Sequence, residues 1–202
     1  MNNFSKIPQI VLPGSKSITN RAFLLSALSG GESRIYKPLY SDDTRYMMDV
    51  LKVLGYSVNE HSDFVEIGGR PRITPGKTYE FYIGNAGTTI RFLTTFLASL
   101  AGGEFVLKGE TRMHERPIRG LVTPLQQAGA RIEYLGADGF PPLKITGKSL
   151  NFETIALDGS KSSQYITSVL LCLAALNPRA RVHVEDLVSK PYIDTTLAVL
   201  RS

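Results

Sequence analysis

Apolar residues at helical spacing follow a cluster of small and hydroxyl residues at three places in the chain. Gly14-Ser15-Lys16-Ser17 leads into Ile18 to Leu28, and Gly84-Asn85-Ala86-Gly87-Thr88 leads into Ile90 to Leu100. Gly159-Ser160-Lys161-Ser162-Ser163 leads into Tyr165 to Leu176. Each pattern predicts a helix that begins at the polar cluster. A turn signal and a strand-like run follow each one: Gly30-Gly31-Glu32 before Ser33 to Lys37, Gly102-Gly103-Glu104 before Phe105 to Lys108, and Asn177-Pro178 before Arg181 to Val184. The two Gly-Gly-Glu triplets lie 72 residues apart, which marks an internal repeat.

Each copy then predicts a second helix. In the first it spans Ser41 to Leu54, with Met47, Val50, Leu51 and Leu54 on one face and Gly55 as the stop. In the second, Pro117 opens it, Ile118, Val122 and Leu125 line a face, and Gly129 ends it. Paired strands follow: Tyr56 to Glu60 with Phe64 to Ile67, and Arg131 to Tyr134 with Leu143 to Thr146, while Tyr79 to Ile83 reads as a lead-in strand. In the third copy Pro191 opens the helix and Ile193, Leu197 and Leu200 follow its face. Ser202 then arrives before any terminator or strand pair, so the sequence predicts a truncated third copy and a longer parent protein. The expected fold is α/β (α+β): a helix-strand-helix-strand-strand unit repeated three times over about 12–75, 76–148 and 149–202, with helices buried between sheets. A linear solenoid is the alternative, but its repeats are usually about 20–50 residues long.

Composition narrows the class. Of 202 residues, 43% are hydrophobic and 20% charged, an ordinary globular balance that excludes disorder, collagen and coiled coil. The net charge of +5 suits anionic small ligands, without the Lys/Arg runs and interleaved aromatics of a nucleic-acid binder. Cys172 is the single cysteine, which excludes an internal disulfide framework and a thiolate metal cluster, and suggests a reducing compartment. Met1 to Gln9 has no apolar signal core, and the longest apolar run, Val169 to Leu176, is too short to span a bilayer. A soluble, cytoplasmic protein with no membrane partner is expected.

The three polar helix starts are the candidate chemistry. Free backbone N–H groups and the positive dipole end favour anions there, Ser and Thr add hydroxyl donors, and Lys16 adds a full charge. Plain helix capping explains any one of them equally well. Gly14-Ser15-Lys16-Ser17 is not a nucleotide P-loop, because Ser15 and Ile10 stand where that motif needs glycine.

Leu12-Pro13-Gly14-Ser15-Lys16-Ser17-Ile18-Thr19-Asn20-Arg21 resembles the opening signature of the 5-enolpyruvylshikimate-3-phosphate synthase family. Gly84-Asn85-Ala86-Gly87-Thr88-Thr89-Ile90-Arg91 resembles its second signature. Arg112-Met113-His114-Glu115-Arg116-Pro117-Ile118, Ser162-Ser163-Gln164 and Val188-Ser189-Lys190-Pro191-Tyr192-Ile193-Asp194 resemble three further blocks in the family's order. The resemblance covers nearly the whole chain. It implies an inside-out α/β enolpyruvyl transferase domain and transfer of enolpyruvyl from phosphoenolpyruvate to the 5-hydroxyl of shikimate 3-phosphate. Phosphate is released, with no metal or organic cofactor.

By this resemblance Lys16 bridges both substrates and is the catalytic position, while Ser17 and Arg21 hold shikimate 3-phosphate. Ser162, Ser163 and Ser189 bind its phosphate, and Gln164 lies between the substrates. Gly87 and Arg112 hold phosphoenolpyruvate; Asn85, Arg91, Asp43 and Tyr192 are supporting. The proton-transferring carboxylates belong to a C-terminal domain expected outside this chain, so the chain is expected to bind but not to turn over. Phe92 departs from the family's proline after the arginine, which puts the placement of Gly87 in question, and with it the affinity for phosphoenolpyruvate and its mimic glyphosate.

Residue chemistry alone gives quieter roles to several positions. Arg91 could pair with Asp42 or Asp43 or touch a ligand directly, and the two acids suit a helix start. Arg21 by itself reads as solvated or snorkelling, Tyr192 as a core aromatic, and Cys172 as core. His61, His114 and His183 lack metal-ligand spacing and are expected in surface or strand roles. Competing functions are a UDP-sugar enolpyruvyl transferase, which uses a loop cysteine that this chain lacks, and a non-catalytic phosphate- or nucleic-acid-binding module.

Overall fold

The computed structural model describes residues 12–150 and 152–202; Met1 to Gln9, read above for a signal core, lies outside the described residues. Ser15 in extended conformation caps the first helix, α1 (Lys16–Ser29), by accepting from the Ile18 N–H at 3.4 Å, and Gly30 ends it at φ 68°. Strand β1 (Ser33–Tyr36) leads to α2 (Asp42–Val53), where Ser41 and Thr44 form a reciprocal capping box and Asp42 and Asp43 occupy the first turn. Strands β2 (Ser57–Glu60) and β3 (Phe64–Gly68) close this unit.

The order then recurs with a lead-in strand: β4 (Thr78–Tyr82), α3 (Gly87–Ser99), β5 (Glu104–Lys108), α4 (Arg119–Gln127), β6 (Arg131–Tyr134) and β7 (Leu143–Thr146). The described chain ends with β8 (Thr154–Asp158), α5 (Ser163–Leu176), β9 (Arg181–Glu185) and α6 (Lys190–Arg201). Helices α1, α3 and α5 start two to three residues earlier than their apolar periodicity suggests, so the small and hydroxyl residues fall inside the first turn. A 3-10 helix over Thr111–Glu115, ahead of α4, carries no periodic signal and is absent from the sequence reading.

Three sheets result. One is antiparallel with order β1-β3-β2, one is mixed with order β4-β5-β7-β6, and β8 pairs with β9 alone among the described residues. The β4–β5 and β8–β9 pairs are parallel, which requires the intervening helices α3 and α5 to cross over between their strands. Helices α1, α3 and α5 touch one another, α2 packs on α1 and α3, and α6 packs on α1 and α5.

Burial follows from that arrangement. In α3 Gly87 to Ile90 and Phe92 to Ala98 are all buried, so this helix is enclosed on every side. Two of its threonines are satisfied internally: Thr94 donates to the Ile90 carbonyl at 2.7 Å, and Thr95 shares a hydrogen bond of 2.9 Å with Ser168 of α5. Phe23, Leu51, Phe92, Phe96 and Phe105 fill the surrounding core. Cys172 lies in this core as expected, and burial pushes its thiol pKa up. No helix among the described residues is long and apolar enough to cross a membrane.

Helix α6 contrasts with α3, since only Ile193 and Thr196 of its residues are buried. Amide hydrogen exchange is therefore expected to be faster in α6 than in α3 by at least one order of magnitude. Equal protection of the two helices would contradict this account of the packing.

Candidate functional site

The starts of five helices meet at one end of the fold. Lys16 at the start of α1 places Nζ 3.4 Å from Oδ1 of Asp43 in the first turn of α2. Thr89, in the first turn of α3, donates to the Asp43 carbonyl at 2.8 Å. Gln164 of α5 donates through Nε2 to Thr88 Oγ1 at 3.1 Å, and Arg21 of α1 donates to the Tyr192 carbonyl in α6 at 3.4 Å. The capping and anion-site readings divide between these starts. Ser15 and Ser162 use their side chains as caps. Helix α3 has Ala86 at its N-cap and α6 has Ser189 with no side-chain cap bond, so their first N–H groups have no side-chain cap.

Arg21 joins α1, α5 and α6. It is 2% exposed, which overturns the solvated reading of its position on α1. Its Nε donates to Thr196 Oγ1 at 2.9 Å, and Nη2 donates to Thr167 Oγ1 at 3.3 Å and to the Tyr192 carbonyl. Nη1 donates to the Ser17 carbonyl at 2.8 Å and to the Ser17 hydroxyl. The guanidinium also lies 5.7 Å from the centroid of the buried Phe92 ring, a cation–π contact. No carboxylate pairs with it among the described residues, and burial lowers its pKa. A buried cation that has hydrogen bonds but no counter-ion favours an anion nearby.

A second arginine cluster surrounds Gly87. Arg91 does not pair with Asp42 or Asp43; Asp43 faces Lys16 instead. Arg91 Nη1 donates to Gln164 Oε1 at 2.6 Å and to the Gly87 carbonyl at 3.0 Å, and the guanidinium lies 5.5 Å from the centroid of Tyr165. A Cβ built on Gly87 would collide with Nη1 of Arg116 and stand 3.1 Å from Nη1 of Arg91, so a side chain here would displace the tips of the two arginines. Like charges this close repel each other. Asn85 Oδ1, Arg91 Nε and His114 Nε2 are buried without a hydrogen-bond partner among the described residues. Arg116 was not singled out by the sequence reading, because the 3-10 turn that aims it is not legible in residue periodicity.

The other expected positions are scattered around these clusters. Ser162 and the buried Ser163 stand at the start of α5, and Ser189 precedes α6. Tyr192 is 57% exposed, so it is not a core aromatic. Arg112 is exposed on the 3-10 helix and makes no hydrogen bond or ion pair among the described residues, so the geometry gives it no link to Gly87. Gly14 serves packing, since a Cβ there would strike the Lys37 carbonyl and the backbone around Leu39. Phe92 does not disturb the helix start: Ile90 N–H still donates to the Ala86 carbonyl at 3.0 Å. His183 lies exposed in β9 and His61 beside β3, whereas His114 is half-buried in the 3-10 turn, away from the surface role expected of it. No group of three metal-ligating side chains occurs among the described residues.

Comparison with known proteins bears on this site. The family model described as EPSP synthase (3-phosphoshikimate 1-carboxyvinyltransferase) matches residues 7–202. A 3-phosphoshikimate 1-carboxyvinyltransferase from Aliivibrio fischeri is 47% identical over 196 residues, 95% of this chain and 46% of that protein. Its namesake from Thiobacillus denitrificans is 47% identical over 192 residues, 94% of this chain and 45% of that protein. The chain thus spans about half the length of the curated relatives it matches. Among solved structures, an EPSP synthase from Acinetobacter baumannii superposes with a TM-score of 0.69 at 26% identity, covering 81% of this chain and 37% of that one. The enolpyruvyl transferase NikO from Streptomyces tendae shares the fold, with a TM-score of 0.64 at 20% identity over 95% of this chain and 43% of its own.

The Arg21 contacts give the site a measurable part in stability. Thr196→Val removes the acceptor of Nε and leaves a buried charged donor unsatisfied, so a loss of about 1–3 kcal/mol is expected in urea unfolding. A change below about 0.5 kcal/mol would show that Nε finds water or another acceptor.

Proposed function

The chain belongs to the EPSP synthase family, and from that premise we propose that its gathered helix starts bind shikimate 3-phosphate for transfer of the enolpyruvyl group of phosphoenolpyruvate to the 5-hydroxyl. Phosphate is the second product. The observation that carries this reading is the set of meeting helix N-termini, which bring Lys16, Arg21 and uncapped N–H groups to one place with no carboxylate on Arg21.

Each residue does what its position allows. Ser163 and Ser162 at the start of α5 and Ser189 before α6 offer hydroxyls and helix N–H groups to the 3-phosphate. The donors of Arg21 are all engaged within the chain, so it acts on the substrate through its charge and by holding the Ser17 hydroxyl in place. Lys16 is half exposed and reaches from Asp43 towards either substrate. Gln164 fixes Arg91 beside Gly87 and stands between the α5 start and the Gly87 cluster. Phosphoenolpyruvate belongs at Gly87, beside the Arg91 and Arg116 guanidiniums, while Arg112 on its exposed turn is left without a link to that glycine. The addition needs a proton delivered to the methylene carbon and a base for the attacking hydroxyl. Those groups we assign to chain outside these 202 residues, in a C-terminal domain that completes the cleft. The single reduced Cys172 fits a reaction in the cytoplasm.

The UDP-sugar reading fits the residues less well. The cysteine here lies buried within α5 with its thiol held protonated by burial, where it cannot serve as a reactive loop residue.

Titration of the chain with shikimate 3-phosphate, followed by NMR, is expected to give a dissociation constant in the high-micromolar to millimolar range, on the order of −4 to −6 kcal/mol. Ser163→Ala should weaken it by roughly 1–3 kcal/mol, since a charged ligand group loses a partner. With both substrates present the chain alone should release no phosphate. Turnover by the chain alone would place the acid and base within it and overturn this division of roles.

A further inference from the structure

Strand β9 has an open edge that its counterpart in the preceding repeat lacks. Strand β5 is paired on both sides, parallel to β4 and antiparallel to β7, whereas β9 is paired only with β8 among the described residues. The Arg181 N–H donates to the Glu153 carbonyl at 2.8 Å, and the Glu185 carbonyl accepts from the Gly159 N–H at 2.7 Å. Residues 181, 183 and 185 therefore turn their backbone groups towards β8, and by alternation Val182 and Val184 turn theirs outward. These two N–H and two C=O groups have no partner strand among the described residues. The strand holds no proline to blunt that edge.

The edge is complementary to itself. Arg181-Val182-His183-Val184-Glu185 carries opposite charges at equal distances from the central His183. Arg181, His183 and Glu185 are exposed, while Val182 and Val184 are half-buried against the core. A second β9, laid antiparallel about a two-fold axis at His183, sets Val182 opposite the partner's Val184 and Arg181 opposite the partner's Glu185. The outward groups of both valines then fall in hydrogen-bonded pairs, so all four are satisfied in each copy. Arg181 faces the partner's Glu185 in a non-hydrogen-bonded pair, where Cα atoms lie about 4.5 Å apart and side chains approach most closely. Within its own chain Glu185 meets only His183, at 3.8 Å, and Arg181 forms no ion pair among the described residues.

We propose that the open edge of β9 is a self-association surface, through which two copies of this chain join by an antiparallel β9–β9 pair centred on His183. The joined sheet repeats on β9 the parallel and antiparallel neighbours that β5 has within one chain. A groove of about 160 Å³ beside Val182, lined also by Leu170, Leu173 and Leu200, continues the apolar strip next to the new pair. Five residues a side make a contact well below the roughly 1,200 Å² of a stable interface, so the dimer is weak and concentration-dependent.

Sedimentation from about 10 μM to about 1 mM should show the average mass rising from that of one chain towards that of two. Arg181→Glu and Glu185→Arg each set like charges opposite one another at both ends of the pair, and each should weaken association by about fivefold or more. The combined variant exchanges the two charges and should return to within about twofold of the unaltered chain. Thermal unfolding of the three variants separates lost pairing from lost fold, because exposed side chains should leave the midpoint in place. His183→Cys brings two thiols to the axis with their Cα atoms inside disulfide reach, so mild oxidation should give a covalent dimer. Arg181→Cys should not link to its own copy, since the two positions lie more than about 10 Å apart. Cys172 is buried and takes no part. A chain that stays monomeric to about 1 mM overturns the proposal. So does association that charge exchange fails to restore, or cross-linking by Arg181→Cys as readily as by His183→Cys. None of these residues belongs to the substrate site, so failure here leaves the proposed function standing.

Discussion

A guanidinium enclosed by protein constrains everything around it. Arg21 is 2% exposed and its five N–H groups need acceptors within reach, which come from Ser17 on its own helix, Thr167 on α5, and Thr196 and Tyr192 on α6. Those acceptors fix the relative height of three helices, because a shift of one turn would strand a buried charge at a cost of several kcal/mol. The Phe92 ring on α3 closes the remaining side. Arg21 thus sets the register of the interior, and the helix starts meet at one end because of it.

The contacts between α3 and α5 repeat this logic with neutral groups. Gln164 meets Thr88 and Arg91, and one to two turns further on Ser168 meets Thr95, so the two helices run parallel with their starts level. Parallel starts are ordinarily unfavourable neighbours, since their positive dipole ends face the same region. Lys16, Arg91 and Arg116 add full charges there, and of these Lys16 alone meets a carboxylate, that of Asp43, among the described residues. Gathering like charge in this way opposes folding, and a multiply charged anion would offset it. Exposed Ile18, Val188 and Tyr192 stand at or next to the same helix starts.

Much of the fold was legible in the sequence because the core helices and strands obey simple periodicities. The strand pairs Arg131–Tyr134 and Leu143–Thr146 and the second helix beginning near Asp42 fall where alternation, capping residues and terminal glycines put them. Helix starts were misplaced by two or three residues, since an enclosed helix such as α3 carries its apolar signal only after a first turn of Gly, Thr and Thr. The site was less legible. Ser162, Ser163, Gln164, Gly87 and Arg91 were found through motif resemblance and are brought together by contacts no local pattern encodes. The burial of Arg21 was invisible because its acceptors, Thr167 and Thr196, lie 146 and 175 residues away in the chain. Arg116 was missed for a related reason: a five-residue 3-10 turn has no hydrophobic period, and only the turn aims that side chain at Gly87.

Phe92 shows how one substitution in a signature can change its target. A proline at that place acts on the backbone, by fixing φ close to the start of α3. In this chain the start is formed without it, through the Ala86 carbonyl accepting from Ile90 N–H and through Thr89 reaching the Asp43 carbonyl. The side chain at position 92 turns inward instead, and its ring is fully buried against the Arg21 guanidinium. Its influence therefore runs to the arginine that holds Ser17, on the side assigned to shikimate 3-phosphate, more directly than to Gly87 and phosphoenolpyruvate. Replacing an apolar ring by a ring of similar size keeps the core but alters the face that the cation sees; replacing it by a small residue opens a cavity beside a buried charge. The two kinds of change separate packing from electrostatics at a single position, and the sequence signature alone, which marks only the absence of proline, points to neither.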